Sequence, residues 1–230
     1  VVNPYPEISG YTTPRNNLSV ASIITETLTN IGDTARMIMY IITPATINGL
    51  GVQNCPGVND TIRLWVNPTP RATPINYVPE MCYGQSTRIE LNSPTVMTKG
   101  IIRFNYTITV SDADVVGNMT PRIDRSEGLQ LIFPYINDTD TINSVYYHII
   151  PTNNESGCVN GPVNTDTVKV HPHPVQVWSP PTVYTCSGPT MGVLRAVLSR
   201  GSKPDRIYWD RPEFIGDTVY YTSNNTDRLR

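Results

Sequence analysis

Few side chains in this sequence could form a covalent crosslink, and the four cysteines are the main candidates. Cys82 and Cys186 each begin a Cys-x-Gly sequence, and Cys55 and Cys158 each lie late in a unit, 13 and 14 residues before its closing Pro-x-Pro sequence. Cysteines at equivalent places in a repeated pattern are typical of structural crosslinks in an oxidising compartment. We predict a Cys82–Cys158 disulfide that joins a first and a late strand of one unit. A Cys55–Cys82 pair and buried free thiols are the alternatives that the sequence leaves open.

The histidines and carboxylates form no catalytic or metal-binding motif. None of the three histidines, His148, His171 and His173, lies in a Ser/His/Asp or Cys/His arrangement. His171 and His173 alternate with prolines and have no neighbouring Cys or acid, which makes a poor zinc site. Asp112 and Asp114 could bind calcium, but a solvated turn is the preferred interpretation. We expect no catalytic residue, no metal site and no cofactor, although scattered glutamates leave a glycosidase-like pair open.

The tryptophans are the remaining side chains with a binding chemistry. Trp65, Trp178 and Trp209 could stack on sugar rings. Trp65 and Trp178 flank proline-rich linkers, which favours packing between neighbouring modules instead.

Composition excludes several classes of partner. The net charge is −2 and charged residues are 16% of the chain, so no basic field attracts nucleic acid or an anionic membrane surface. No apolar run reaches the length of a membrane span, so we expect no direct membrane insertion. The abundance of Thr, Asn, Val, Ile, Tyr and Pro favours short strands and turns over helices.

The chain contains an internal repeat in two ungapped registers. Pro68-x-Pro70 and Cys82-x-Gly84 recur 104 positions later as Pro172-x-Pro174 and Cys186-x-Gly188. In the second register, a set of residues recurs 107 positions later: Gly10, Asn30, Tyr40 and Pro44 become Gly117, Asn137, Tyr147 and Pro151. A period of this length indicates repeated domains and must be recognised before the fold is assigned.

The repeat divides the chain into three units. Residues 1–70 are the C-terminal part of one unit, 71–174 are a complete unit, and 175–230 are the N-terminal part of a further unit. We call these the first, middle and third units. About 100 residues is the size of an immunoglobulin-like sandwich. Since the chain begins and ends within a unit, we expect it to be a piece of a longer protein.

The clearest strand pattern lies in the middle unit. Within 102–110, Ile102, Phe104, Tyr106 and Ile108 alternate with polar residues, which predicts a half-buried strand. A weaker alternation predicts a strand over 23–29. Short strands between Gly, Asn, Asp and Pro turns favour an all-β fold of tandem antiparallel β-sandwiches.

These features resemble the PKD-like, immunoglobulin-like repeats of very large Bacteroidetes surface adhesins, similar to the gliding-motility adhesin exported by type 9 secretion. The resemblance rests on motifs spread over the chain: Cys82-Tyr83-Gly84, the strand Phe104 to Val110, Tyr40 to Pro44, and Val66-Asn67-Pro68-Thr69-Pro70. It implies an extracellular, non-enzymatic repeat segment of a stalk or adhesin on the bacterial cell surface, acting in attachment and gliding motility.

The resemblance also implies partners. Neighbouring repeats of the same chain come first, followed by surface polysaccharide or outer-membrane motility and secretion proteins; nucleic acid is not expected. The alternative function is a carbohydrate-binding or spacer module of a secreted glycanase.

Five Asp-Thr dipeptides, each followed by an apolar residue, resemble the O-glycosylation motif of secreted Bacteroidetes proteins. Turn chemistry also explains the pattern, because Asp favours turns and Thr favours the start of a strand. The candidate acceptors are Thr34, Thr61, Thr141, Thr167 and Thr218.

Overall fold

The computed structural model describes most of the first two units and parts of the third. The described residues are 5–12, 15, 18–19, 21–49, 53–153, 155, 158, 160–173, 175–178, 194–200, 206–208, 218–220 and 226–229. Every regular element among them is a β-strand, so the predicted all-β class is confirmed.

The first unit contributes six strands. They are β1 Ile8–Ser9, β2 Thr29–Asn30, β3 Arg36–Ile42, β4 Ala45–Ile47, β5 Gln53–Pro56 and β6 Asp60–Val66. The sheets are the antiparallel pairs β1–β2, β3–β6 and β4–β5.

The middle unit contributes ten strands. They are β7 Ile75–Asn76, β8 Glu80–Met81, β9 Ile89–Glu90, β10 Arg103–Val110, β11 Val115–Gly117, β12 Arg122–Ser126, β13 Gln130–Leu131, β14 Tyr135–Asn137, β15 Asn143–Thr152 and β16 Asn164–Val170. One sheet has the order β12-β10-β15-β16-β8, and a smaller sheet has the order β13-β9-β7. Together they enclose one core, which gives an immunoglobulin-like β-sandwich.

The third unit contributes five strands in the described stretches. They are β17 Val175–Trp178, β18 Leu194–Arg200, β19 Arg206–Tyr208, β20 Thr218–Tyr220 and β21 Thr226–Leu229. Strand β18 lies between β17 and β21, and β19 pairs with β20.

The core of the middle unit follows the alternation seen in the sequence. Phe104, Tyr106 and Ile108 on β10 are all at most 5% exposed, so the prediction of a half-buried strand is confirmed. They pack with residues of both sheets, including Ile89 and Tyr147. A side-chain period of two places all three on the same face of the strand, where burial removes them from water.

Two features depart from the predicted pattern. Strand β8 pairs with β16 in parallel, whereas all the other ladders are antiparallel among the described strands. Because β8 and β16 lie near opposite ends of the unit in sequence, no hairpin turn dictates their direction. The strand predicted over 23–29 is wrong, since only Thr29 of that range lies in a strand and Ile23 is 86% exposed.

The two units share the register of their strand pairs. Ile8 lies opposite Asn30 in the first unit, and Val115 lies opposite Asn137 in the middle unit. Likewise, β3 and β6 pair in the same register as β15 and β16, since Tyr40 faces Ile62 where Tyr147 faces Asp166. These positions are related by the same offsets as the sequence repeat.

Candidate functional site

The junction between the first and middle units, which we call the first joint, contains both backbone hydrogen bonds and side-chain contacts. Thr34 and Val96 form a parallel β-bridge. The Ala35 N–H donates to the Val96 carbonyl at 2.9 Å, and the Val96 N–H donates to the Asp33 carbonyl at 2.7 Å. These two backbone bonds run in opposite directions between the segments and so define how the segments lie relative to each other.

Polar side chains add to the first joint. Asp33 forms an ion pair with Arg71 at the start of the middle unit. Both the backbone N–H and the hydroxyl of Thr98 donate to the Asn67 amide oxygen, each at 3.0 Å. These partners are partly exposed, so the ion pair itself contributes little free energy, at most about 1 kcal/mol.

The linker between the units is packed against the middle unit. Pro68 and Pro70 are buried. A Cβ added to Gly161 would collide with the Pro70 carbonyl, so only glycine lets the hairpin after β15 approach the linker this closely. The proline rings and this close approach restrict bending at the first joint.

A shallow groove runs along the first joint. It is lined by Thr34, Ala35, Trp65, Val96, Met97, Thr98 and Lys99. Trp65 is 56% exposed within it, so most of the indole ring is available to solvent. The expected packing of Trp65 between modules is therefore incomplete. Trp209 lies outside the described residues, and the side chain of Trp178 does too.

Two histidines follow β16 at the end of the middle unit, and both contact residues of that same unit. The His171 Nε2 atom lies 2.5 Å from the Glu80 carboxylate, and its backbone N–H donates to the Met81 carbonyl at 2.9 Å. The His173 ring lies 4.5 Å from the Tyr83 ring, centroid to centroid. The two histidines therefore contact different residues rather than converging on one point.

Across the described residues, no group of three or more His, Cys, Asp or Glu side chains is arranged to hold a metal ion. The Asp112 carboxylate accepts the Asp114 backbone N–H at 2.9 Å, which is the geometry of an Asx turn.

The structure does not bring Cys82 and Cys158 together. Cys82 is an exposed free thiol beside the end of β16 where Val170 pairs with Met81. Cys158 lies in the connection that leads into the opposite end of β16, at Asn164. A strand of this length separates its two ends by roughly 20 Å, whereas a disulfide requires Cα atoms within about 7 Å. Cys55 is also exposed, and Cys186 lies outside the described residues.

The candidate glycosylation threonines differ in accessibility. Thr141 and Thr167 are exposed, Thr61 is half-buried, and Thr34 is half-buried at the first joint. In two of the dipeptides, the Asp carboxylate accepts the N–H of its own Thr at 2.7 Å. Both of these dipeptides lie within strands, β6 and β16, so the turn interpretation does not apply to them. The side chain of Thr218 lies outside the described residues.

Two buried asparagines, Asn30 and Asn137, have a structural role. Their recurrence in the sequence did not identify that role. The Asn30 amide donates to the Thr34 and Val66 carbonyls at 3.0 and 2.9 Å. The Asn137 amide donates to the equivalent carbonyls of Thr141 and Val170 at 2.8 and 2.7 Å. Each asparagine ties a turn to the last strand of its unit, immediately before the linker begins.

One face of the β3–β6 pair is apolar and only partly covered by the described residues, and we call it the open face. Its central residues are Tyr40, Ile42, Ile62 and Leu64, and Ile24 and Leu28 line the same groove. Ile42, Ile62 and Leu64 are each 42–52% exposed.

At the rim of the open face, Glu26 accepts hydrogen bonds from the Thr12 hydroxyl, the Tyr40 hydroxyl and the Thr12 N–H. These donors favour the carboxylate and lower the pKa of Glu26 from 4.5 to about 2. Partial burial and the nearby carboxylate raise the pKa of Tyr40 to about 12.

Comparison with known proteins finds one similarity, which covers the first unit. Residues 1–70 match the family model of the PKD-like domain. The matched range coincides with the predicted first unit, and an immunoglobulin-like β-sandwich is the fold that the match implies. PKD-like domains are commonly extracellular modules. No curated protein matches the chain. Within the described part of the chain, no helix is long and apolar enough to cross a membrane.

Proposed function

We propose that this chain is a non-enzymatic segment of PKD-like repeats in a large bacterial cell-surface adhesin or stalk, which serves surface attachment and gliding motility. The observation that carries the proposal is the first joint, where backbone hydrogen bonds connect Asp33 and Ala35 to Val96. A stalk needs such joints, since a chain of independent domains on loose linkers would collapse instead of extending from the cell.

The proposed mechanism is mechanical. Antiparallel ladders within each sandwich resist pulling, and the buried prolines of the linker limit bending. Each unit contacts mainly its neighbours, so reach increases with the number of units. Neighbouring repeats are the first partners; surface polysaccharide or outer-membrane motility and secretion proteins are the external ones.

Rigidity of the first joint can be tested with two variants of one residue. Val96→Pro removes the N–H that donates to Asp33, whereas Val96→Ala retains it. We expect NMR relaxation to show the first and middle units tumbling together in the wild type and in Val96→Ala, and separately in Val96→Pro. Separate tumbling in the wild type would contradict the stalk mechanism.

The proposed role in surface attachment and gliding requires a second experiment. Antibodies raised against this chain should label intact cells of the source organism, and deletion of its gene should reduce attachment and gliding. Labelling only after the cells are permeabilised would exclude the surface role.

A second candidate function is carbohydrate binding, because Trp65 presents an exposed indole in a groove that also contains hydroxyl and ammonium groups. A glycan array should then show binding that Trp65→Ala abolishes. Tyr77→Ala is the control, since Tyr77 is an aromatic residue of similar exposure that lies outside the groove. Binding that survives Trp65→Ala would remove this candidate.

Among the candidate O-glycosylation sites, we assign the modification first to Thr141 and Thr167, because both side chains are exposed. Intact-mass measurement of protein from its native host should show added sugar. Loss of that mass in Thr141→Ala and Thr167→Ala variants, but not in Thr34→Ala, is the expected result.

A further inference from the structure

Two arginines of the middle unit, Arg122 and Arg125, lie on one face of strand β12, and we call them the arginine pair. Strand β12 is the outermost strand of the larger sheet and pairs with β10. Arg122 lies opposite Tyr106, and Arg125 lies opposite Phe104. Directly opposed residues of an antiparallel pair point to the same face of the sheet, so both arginines share the face of Tyr106 and Phe104.

A β-bulge makes this arrangement possible. Residues three apart on a regular strand point to opposite faces. The register shifts between the two arginines, where Ile123 and Asp124 lie opposite the single residue Asn105. Asp124 has a φ of 56°, and its N–H donates to the side-chain oxygen of Asn105 at 2.9 Å. The extra residue returns Arg125 to the face on which Arg122 lies.

The two guanidinium groups lie beside the Tyr106 hydroxyl. Tyr106 is 4% exposed, and burial raises the pKa of its hydroxyl, whereas the nearby charges of Arg125 and Arg122 act in the opposite direction. Arg125 is half-buried, and its Nε atom has no hydrogen-bond partner in the described part of the chain. Arg122 is exposed. The pair therefore combines a partly enclosed cation with a solvent-facing one, so a ligand can approach from solvent and contact both.

Within the described residues, the arginine pair has no carboxylate at ion-pair distance. None of the ion pairs among those residues includes Arg122 or Arg125. The adjacent carboxylate, Asp124, pairs instead with Arg103, with 3.7 Å between the Asp124 Oδ1 and Arg103 Nε atoms. Arg103 precedes Phe104 on β10, so this ion pair lies on the opposite face of the sheet. Two like charges that share a site without a counter-ion favour the binding of an anion.

The first unit has no equivalent of the arginine pair. At the two corresponding positions, 107 residues earlier, it has Arg15 and Leu18. Arg15 also lies close enough to interact electrostatically with the Glu26 carboxylate. The residue of the middle unit that corresponds to Glu26 is Phe133. Since the two units share their strand registers, the fold itself does not require two arginines here.

We propose that the arginine pair is an oxyanion-binding site for an acidic polysaccharide, and that each guanidinium donates to a carboxylate or sulfate group of the polymer. The guanidinium fork matches the geometry of such oxyanions and can bind them through two parallel hydrogen bonds. The exposed side chains of β12 other than Ile123 are polar, whereas a protein partner would need an apolar centre. The inference rests on the proposed function, in which surface polysaccharide is an external partner.

Binding can be measured by isothermal titration calorimetry with three polymers: oligogalacturonate, which carries carboxylates, dextran sulfate, which carries sulfates, and unmodified dextran, which carries neither. We expect at least one of the acidic polymers to bind and neutral dextran not to bind. Inorganic sulfate should bind the same site more weakly, since it offers one group instead of several. The proposal would be overturned if neither acidic polymer bound, if neutral dextran bound equally well, or if inorganic sulfate alone bound.

Substitutions that remove one charge locate the site. Arg122→Gln and Arg125→Gln should each weaken binding of the acidic polymer at least about tenfold, since a charge-assisted hydrogen bond is lost. Arg63→Gln removes an exposed charge from the first unit and should change binding less than about twofold, because distant exposed charges are screened. Equal effects of the three variants would indicate non-specific attraction and would overturn the site.

The NMR signals of the arginine Nε–H groups give a readout in the wild-type chain that requires no variant. The signals of Arg122 and Arg125 should shift when the acidic polymer is added, and the signal of Arg63 should stay in place. Shifts of other arginines without those of the arginine pair would place the ligand elsewhere and contradict the proposal.

The bulge provides a second matched pair of variants. Asp124→Gly and Asp124→Val both remove the carboxylate, but only glycine adopts a positive φ without strain. We expect Asp124→Gly to bind the acidic polymer at least as tightly as the wild type does. Asp124→Val should bind it at least about fivefold more weakly, although both arginines remain. Equal affinities of the two variants would show that the bulge does not position the arginine pair.

Failure of this proposal can be distinguished from failure of the proposed function, because the Val96 variants and the labelling of intact cells involve no ligand. Trp65→Ala separates the arginine pair from the groove at the first joint and should leave binding of acidic polymers unchanged. Loss of that binding in Trp65→Ala, with normal binding in Arg122→Gln and Arg125→Gln, would assign the polysaccharide to the groove and overturn the proposal.

Discussion

The first and middle units have the same strand registers but very different burial. Ile38 and Val145 occupy equivalent positions and are both 0% exposed, whereas Ile42 is 42% exposed and its equivalent Ile149 is 0% exposed. The backbone pairing is therefore the same in both units, although the cover over the paired strands differs. The stability of each sandwich depends on whether a second sheet covers the part of this face that carries Ile42 or its equivalent, Ile149.

The most sensitive test of this comparison is to truncate equivalent isoleucines. Ile149→Ala should lower the free energy of unfolding by about 2–5 kcal/mol, because it leaves a cavity in a closed core. Ile42→Ala should lower it by less than about 1 kcal/mol, since the side chain is half-exposed. Hydrogen exchange read on peptides from each unit gives the two values separately. Similar losses would show that the open face is covered in solution.

The buried asparagines should behave alike in both units, in contrast to the isoleucines. Asn30→Ala and Asn137→Ala each leave two buried or partly buried carbonyls without their amide donor. We expect each substitution to cost about 1–3 kcal/mol of unfolding free energy. Asn118→Ala is a control, since Asn118 is only half-buried. A large loss in one unit alone would break the structural equivalence.

The ion pair of the first joint should contribute less to the free energy of unfolding than the buried asparagines do. Arg71→Ala removes the ion pair with Asp33, whose side chain is 36% exposed, so the expected loss is at most about 1 kcal/mol. Thermal unfolding at low and high salt should show a difference from wild type that disappears as salt screens the pair. Arg63→Ala removes an exposed charge outside the joint and should show no such salt dependence.

The smallest expected effect is a pH dependence of stability that involves Tyr40 but not its equivalent, Tyr147. The Tyr40 hydroxyl donates to Glu26, whereas the Tyr147 hydroxyl is hydrogen-bonded to Thr87 at 2.8 Å. Because the pKa of Glu26 is lowered to about 2, its contribution is present above about pH 4.5 and is lost as pH falls towards 2. Acid titration followed by NMR should show this loss in the first unit, and Glu26→Gln should abolish it. An unchanged profile in Glu26→Gln would exclude Glu26 as the cause.

Sequence reasoning predicted the features that depend on short-range pattern. The alternation of Phe104, Tyr106 and Ile108 identified β10 because a period of two has only one interpretation over such a length. The range 23–29 failed because only Thr29 pairs with another strand: Ile24 and Leu28 line the groove on the β3–β6 face without forming a ladder, and Ile23 remains exposed. The role of Asn30 and Asn137 was not predicted, since their repetition marks a constrained position without naming the carbonyls they contact.

Pairings between distant residues were the least predictable. Equivalent cysteine positions suggested a bond between Cys82 and Cys158, but the sequence does not reveal at which end of β16 each lies. The Glu80–His171 contact has the same origin, because the parallel pairing of β8 with β16 brings together residues that lie far apart in the sequence.

The sequence by itself determined the all-β class, the register of the repeat and the alternation that builds the middle core, because these depend on residue type and local spacing. Only the tertiary structure decided which apolar faces are covered, how the first joint is hydrogen-bonded and which cysteines are distant. Those properties depend on contacts between residues far apart in the chain, and a side chain such as Ile42 is the same in sequence whether or not a second sheet lies over it.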